Sequence, residues 1–245
     1  MAILSKRLKA VADMVTPNQV VADIGCDHAY LPIYLVKNKI APFVFACDVN
    51  DGPVRIAKDN VAQVELNDYI KCLKGDGLAP VIDKDIQTVI IAGMGGRLMM
   101  RILSEGKELL KRVKEIVLEP QSEVSQLRFF LEKNGYCIVS EDMVCEDGKF
   151  YPIMKAIHGN MNLKEEIYYR YGKIPIRERH PVLHEFLIRE KQYFGKLLEN
   201  MSEHVDSDIA KKRIEEINID LKICERALLE INDVGLNTFE YELDG

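Results

Sequence analysis

Val20-Val21-Ala22-Asp23-Ile24-Gly25-Cys26-Asp27-His28-Ala29-Tyr30 decides the fold. A short apolar run ends in an acid and a glycine, and an apolar helical pattern starts behind them. That order reads as a buried parallel strand feeding a nucleotide-binding turn. The turn carries one glycine, and Asp27 and His28 stand where a dinucleotide fingerprint places its others. Asp23 and Asp27 would repel a pyrophosphate. They suit a ligand with an ammonium and a sulfonium, which favours S-adenosylmethionine over NAD.

The same pattern repeats along the chain. Apolar runs at Phe43–Asp48, Ile70–Leu73, Thr88–Ala92 and Glu115–Leu118 read as further strands. Helical patterns separate them: Leu4, Leu8, Val11 and Val15 before the first strand, Tyr30–Lys37 after it, then Val54, Ala57, Val61 and Val64. Asp51 is expected to cap the helix at Gly52-Pro53, and Ser122 a later one that Gly135 ends. A single helix is expected through Leu98, Ile102 and Leu109. Tyr136–Val144 and Phe150–Ile157 flank Glu146-Asp147-Gly148, a hairpin signal. The expected fold class is α/β, an open and mainly parallel sheet with helices on both faces and a C-terminal antiparallel strand pair.

The pattern changes near residue 160. Leu183, Leu187, Phe194, Leu197 and Met201 form one apolar seam, broken by Glu190. Ile214, Ile217, Leu221, Cys224, Leu228 and Ile231 form a second, and Val205-Asp206-Ser207-Asp208 lies between them. Two such seams make an antiparallel helical hairpin. The expected division is 1–160 for the cofactor-binding domain and 161–245 for the helical one.

Net charge is −6, but residues 192–245 carry 13 acids against 6 bases, and the rest is near balance. A local basic face therefore stays open to RNA. No apolar run nears the ~18 residues of a membrane span, and the first residues lack a signal-peptide core. A cytoplasmic protein is expected, with no membrane and no metal. The six cysteines form no C-x-x-C pair and read as reduced. His180 and His184 lack an evident third ligand. The sequence names no protein partner.

Asp23, Gly25, Cys26, Asp27 and His28 are the first cofactor candidates. Asp48, with Val49 behind it, is placed to accept ribose hydroxyls. Asp76, between Gly75 and Gly77, is placed to accept from an adenine amino group. Gly93 and Met94 would form a wall between methyl donor and acceptor. Asp27, His28, Glu119 and Gln121 are the catalytic candidates: His28 as a base or a packing residue, and Gln121 as an amide that reads a base edge. RNA contacts are expected from Lys6, Arg7, Arg97, Arg101, Arg170 and Arg177, the last two among tyrosines. A turn, a cap or a solvated face explains each of these singly. The three strand-end acids together point to a cofactor.

These motifs carry a family resemblance. Leu4-Ser5-Lys6-Arg7-Leu8, Ala22-Asp23-Ile24-Gly25-Cys26-Asp27-His28-Ala29-Tyr30-Leu31-Pro32, Ile91-Ala92-Gly93-Met94-Gly95-Gly96 and Glu146-Asp147-Gly148-Lys149-Phe150-Tyr151 resemble the TrmK family. Its members are bacterial tRNA (adenine-N1)-methyltransferases that act on adenine 22. The resemblance implies a class I, Rossmann-like methyltransferase domain with a coiled-coil hairpin, S-adenosylmethionine as cofactor and tRNA as partner. It departs at Cys26, where the family usually has serine, and at Glu119-Pro120-Gln121, where it usually has Gln-Pro-Asn. The residues alone also admit a methyltransferase for a protein or small molecule, a non-catalytic RNA-binding module, or a NAD-type dehydrogenase.

Overall fold

The computed structural model describes residues 4–202 and 208–233. It divides the chain into two compact units, Met1–Lys164 and Glu165–Gly245.

The strands of the first unit are β1 (Val21–Ile24), β2 (Val44–Asp48), β3 (Ile70–Lys74), β4 (Thr88–Gly95), β5 (Glu115–Ser122), β6 (Tyr136–Glu146) and β7 (Lys149–His158). They form one sheet in the order β3-β2-β1-β4-β5-β7-β6. The first five pair in parallel, and the β6–β7 hairpin joins antiparallel through β7. Asp147 (φ 50°) and Gly148 (φ 75°) make its turn, both in the left-handed region that a two-residue hairpin demands. Strand order reverses direction between β1 and β4, the place where such sheets leave a crevice.

Around the sheet lie α1 (Lys6–Asp13), α2 (Tyr30–Lys37), α3 (Asp51–Gln63), α4 (Gly96–Glu105), α5 (Lys107–Leu110) and α6 (Val124–Lys133). The strand period of two sends neighbours to opposite faces. Ile91 and Leu118 pack with Leu103 and Leu127 of α4 and α6, whereas Ile90 and Val117 pack with Val11, Leu35 and Ala57 of α1, α2 and α3. The sheet is covered on both faces, as its continuous apolar runs require. Beside it, Arg128 and Glu141 form a buried ion pair at 2.9 Å, joining α6 to β6.

Several local expectations need correction. Asp51 does not cap α3: the cap is Asn50, without a side-chain bond, and Asp51 pairs with Lys74 at 2.6 Å. Ser122 does not cap α6. It ends β5, and the left-handed Glu123 takes the cap position. β4 and β5 run past their expected ends because Met94 still pairs with Pro120 and Gly95 with Ser122, across register shifts. Gly106 breaks the long helix into α4 and α5, with Leu78 packed where a side chain at Gly106 would stand. Leu98 lies on the exposed side of α4, and Val64 is only half-buried.

The second unit holds α7 (Glu166–Tyr171), α8 (Lys173–Arg177), α9 (Pro181–Ser202) and α10 (Asp208–Asn232). α9 and α10 form the helical hairpin, burying Leu183, Leu187 and Phe194 with Ile217, Cys224 and Ile231. Residues 205–207 of the expected turn lie outside the described residues, and Asp208 begins α10. Glu190 interrupts the seam because it accepts the Tyr171 hydroxyl at 2.6 Å. Tyr168 likewise donates to Glu230, at 2.5 Å. Both tyrosines are buried and are core residues, not exposed stacking surfaces.

Candidate functional site

A cavity of about 620 Å³ opens at the carboxyl ends of β1, β2, β3 and β4. Its volume suits a small-molecule ligand. It gathers Asp23, Gly25, Cys26, Asp27, Asp48, Val49, Gly75, Asp76, Gly77, Gly93, Met94 and Gln121 from the expected set. His28 stands outside the lining. Its Nε2 lies 3.4 Å from Asp27 Oδ1, its ring meets Tyr30 edge-on, and its carbonyl accepts from Asn60 at 2.9 Å. Asp27 and Ala29 are both left-handed without being glycine (φ 48° and 59°), so the loop holds local strain.

The strand-end acids differ in environment. Asp23 is 4% exposed, and its carboxyl is pushed up to about 7, first by burial and then by the charge of Asp48. Asp48 ends β2 and accepts the Asn50 N–H at 2.9 Å through Oδ1. Asp76 is exposed and engaged: Arg101 of α4 grips it with two bonds, at 2.9 and 3.0 Å, and holds its carboxyl below the usual range. Burial pushes the Cys26 thiol up, and that of Cys47 to about 12, so both are neutral at physiological pH.

Glycine is favoured at Gly25. Its φ is +78°, and a Cβ there would sit 2.2 Å from the Met94 methyl. Met94 therefore lies directly over the first turn. Gly93 (φ +77°) flanks Arg7 and Gln121: a Cβ there would lie 3.5 Å from Arg7 Nη1 and 3.7 Å from Gln121 Nε2.

Arg7 and Arg101, expected on an RNA-facing surface, both line this cavity. Arg7 Nη1 donates to Glu119 Oε2 at 2.6 Å, and its guanidinium lies 5.5 Å from the centre of the Tyr151 ring. Glu119 is wholly buried behind the wall and also accepts the Gly93 N–H at 2.7 Å. Its Oε1 has no hydrogen-bond partner. Burial raises its carboxyl above the usual range, against the opposing charge of Arg7.

The remaining basic candidates lie elsewhere. Lys6 donates its backbone N–H to Glu146 at 2.7 Å. Arg97 is 85% exposed, 3.5 Å from Glu123. In the second unit Arg170 is bonded to Asp220 at 2.7 Å, while Arg177 is exposed. Among the described residues no acid, histidine and cysteine cluster suits a metal, and no helix is long and apolar enough to cross a membrane. None of the six cysteines forms a disulfide.

Sequence reasoning missed Arg7 and Arg101 as wall residues. The signal for Arg101 was its place with Leu98 and Ile102, one face of the helix that leaves the glycine turn. For Arg7 there was none, since its partner lies 112 residues away.

The comparisons extend this picture. A methyltransferase domain model matches residues 4–154. The tRNA (adenine(22)-N(1))-methyltransferase of Bacillus subtilis is 33% identical over 219 residues, 87% of this chain and 92% of that protein. A Streptococcus pneumoniae crystal structure, described as a putative tRNA (m1A22) methyltransferase in complex with S-adenosyl-L-methionine, is 32% identical. It superposes with a TM-score of 0.83, covering 92% of this chain and all of that one. TrmK of M. capricolum, solved with S-adenosyl-homocysteine, is 27% identical, with a TM-score of 0.81 and coverage of 93% and 99%. With the Asp23–Gly25 turn, the strand order and the helical hairpin all in place, the chain belongs to the tRNA (adenine(22)-N(1))-methyltransferase family, TrmK.

Proposed function

We propose that this protein transfers a methyl group from S-adenosylmethionine to N1 of adenine 22 in tRNA. The observation that carries the reading is the acidic cavity at the switch point: buried Asp23, with its raised carboxyl, next to Asp48. An acid so placed is stabilised as an anion by a ligand ammonium, which a pyrophosphate cofactor lacks. Gly25 leaves room for backbone and Met94 together, and Val49 offers an apolar surface beside Asp48.

When bound, the cofactor supplies an electrophilic methyl group on a positively charged sulfur. Asp23 holds the ammonium end. Asp48 accepts from ribose hydroxyls, and Gly75, Asp76 and Gly77 face the adenine. N1 of the acceptor has an in-plane lone pair, so no strong base is required, and orientation supplies most of the rate. Gln121 and Arg7 offer donors on the side of the cavity near Gly93. Asp27 and His28 shape the loop beneath the donor. The base must leave its stack to reach such a cavity, at about a few kcal/mol. Lys6, Arg97 and Arg177 would meet phosphates. The unit 1–164 would bind the cofactor, and the helical unit would contribute to tRNA capture in the cytoplasm.

Labelled S-adenosylmethionine, offered to an unmodified tRNA transcript with adenine 22 and to one with guanine 22, tests this. Label is expected in the first alone. Equal label in both, or in neither, contradicts the reading.

A further inference from the structure

We propose that Tyr30 is the surface on which the acceptor adenine stacks, and that His28 holds the Tyr30 ring in place and is no base in the reaction. The proposal rests on the tRNA reading above and names the side chain that receives its base.

Tyr30 is the one aromatic side chain among the described residues that line the cavity. It is 45% exposed, unlike the buried Tyr168 and Tyr171 of the helical unit. It opens α2 directly behind the β1 turn. That is the end of the cavity where Asp23 would hold the ammonium, and in the cofactor the ammonium and the methyl-bearing sulfur share one short chain. The ribose and adenine of the cofactor belong instead just past the ends of β2 and β3, with Asp48 and Asp76. Tyr30 therefore stands near the reacting end. Leu98, 39% exposed, lines the same cavity from α4, on the opposite face of the sheet. The rim offers an aromatic ring on one side and an aliphatic side chain on the other. Such a rim suits a flat, splayed base.

The loop before Tyr30 sets its orientation. Asp27 and Ala29 are left-handed without being glycine, and they flank His28. Strain of this kind persists only where neighbours fix it. Here Ala29 is fully buried, and the Asn60 side chain of α3 bonds the His28 carbonyl at 2.9 Å. The His28 ring is thereby centred 5.6 Å from that of Tyr30, at 80° to it, an arrangement that aromatic pairs favour. His28 itself does not line the cavity, and its Nε2 lies 3.4 Å from Asp27 Oδ1. N1 of adenine attacks through a lone pair, so the attacking atom carries no proton for His28 to take. His28 acts through Tyr30 and is a positioning residue.

The test uses the full chain, a tRNA transcript and saturating S-adenosylmethionine, with calorimetry against S-adenosylhomocysteine alongside. Tyr30→Leu is expected to lower kcat/KM for tRNA about tenfold, the scale of one base–aromatic stack, and to change the S-adenosylhomocysteine affinity by less than about twofold. Tyr30→Phe, which keeps the ring, should recover most of that loss. His28→Ala should lower kcat/KM as Tyr30→Leu does, and the two together should lower it little further, because they remove one interaction. His28→Phe keeps a ring against Tyr30 and cannot take a proton. It should recover activity to within about fivefold of wild type; a larger loss, toward the roughly hundredfold of a missing general base, overturns the proposal. So does an unchanged kcat/KM in Tyr30→Leu. An S-adenosylhomocysteine affinity that falls as far as kcat/KM overturns it too, since Tyr30 then serves the cofactor. Should Tyr30→Leu fail to fold, Tyr30→Met takes its place with the same expectations. A wild-type protein that methylates no tRNA refutes the function reading itself, a different result from any of these.

Discussion

Asp23 ends β1 inside the protein, with its carboxyl pushed up to about 7 by burial and by Asp48. An unfolded aspartate titrates near ~3.9. The folded state therefore holds this proton more tightly. The stability it brings is complete below about pH 4 and is lost as pH rises through about 7. Asp23→Asn removes that loss. In thermal denaturation without ligand the variant should melt above wild type at pH 8, with the gap closing toward pH 4. The same variant should lose about tenfold or more in S-adenosylmethionine affinity, because a charge-assisted bond is gone. Wild-type affinity should peak between about pH 7 and 8. Below that Asp23 takes a proton, and above it the ligand's α-amino group, with a pKa near ~7.7–8.0, loses one. A calorimetric pH series checks both limbs. The strand-end acids were legible in the sequence because each closes a short apolar run. The Arg7–Glu119 and Arg101–Asp76 pairs were not, since both join distant segments that only the folded sheet brings together.

At the scale of elements, the first turn and the β6 helix support make separate demands. Gly25→Ala meets a left-handed φ and the Met94 methyl at once. The backbone cost alone is about 1–2 kcal/mol. Denaturant titration should show that loss, and the double variant with Met94→Ala should recover only part of it, because the φ penalty stays. Arg128→Ala removes one partner of a buried ion pair and should cost about 3–5 kcal/mol by the same measurement. The strands and the hairpin were readable from period and turn residues. Helix caps were not: Asp51 and Ser122 looked like caps, but ion pairing to Lys74 and strand pairing to Gly95 claimed them first. Glu190 looked like a flaw in the seam, and only the fold reveals Tyr171 as its partner.

At the scale of the molecule, the proposed tRNA contact Arg177 and the cofactor cavity belong to different units. Arg177 is exposed in the helical unit, while the cavity lies wholly within residues 1–164. Arg177→Glu should weaken tRNA binding in a gel-shift titration at fixed salt and leave the calorimetric affinity for S-adenosylhomocysteine unchanged. The α/β sheet and the helical hairpin were legible because the apolar period changes from strand-like runs to long seams. Tyr168 and Tyr171, either side of Arg170, misled, because aromatic residues beside basic ones look alike whether they stack on bases or fill a core. The most direct test of the whole account is position mapping. Unmodified tRNA is incubated with the protein and S-adenosylmethionine, then read by reverse transcription, which a methyl on the pairing edge of adenine blocks. With S-adenosylmethionine held at a limiting concentration, the account predicts one new stop, caused by adenine 22 and strongly weakened with Asp23→Ala. No stop in any tRNA, or a stop of full wild-type strength in that variant, would contradict it.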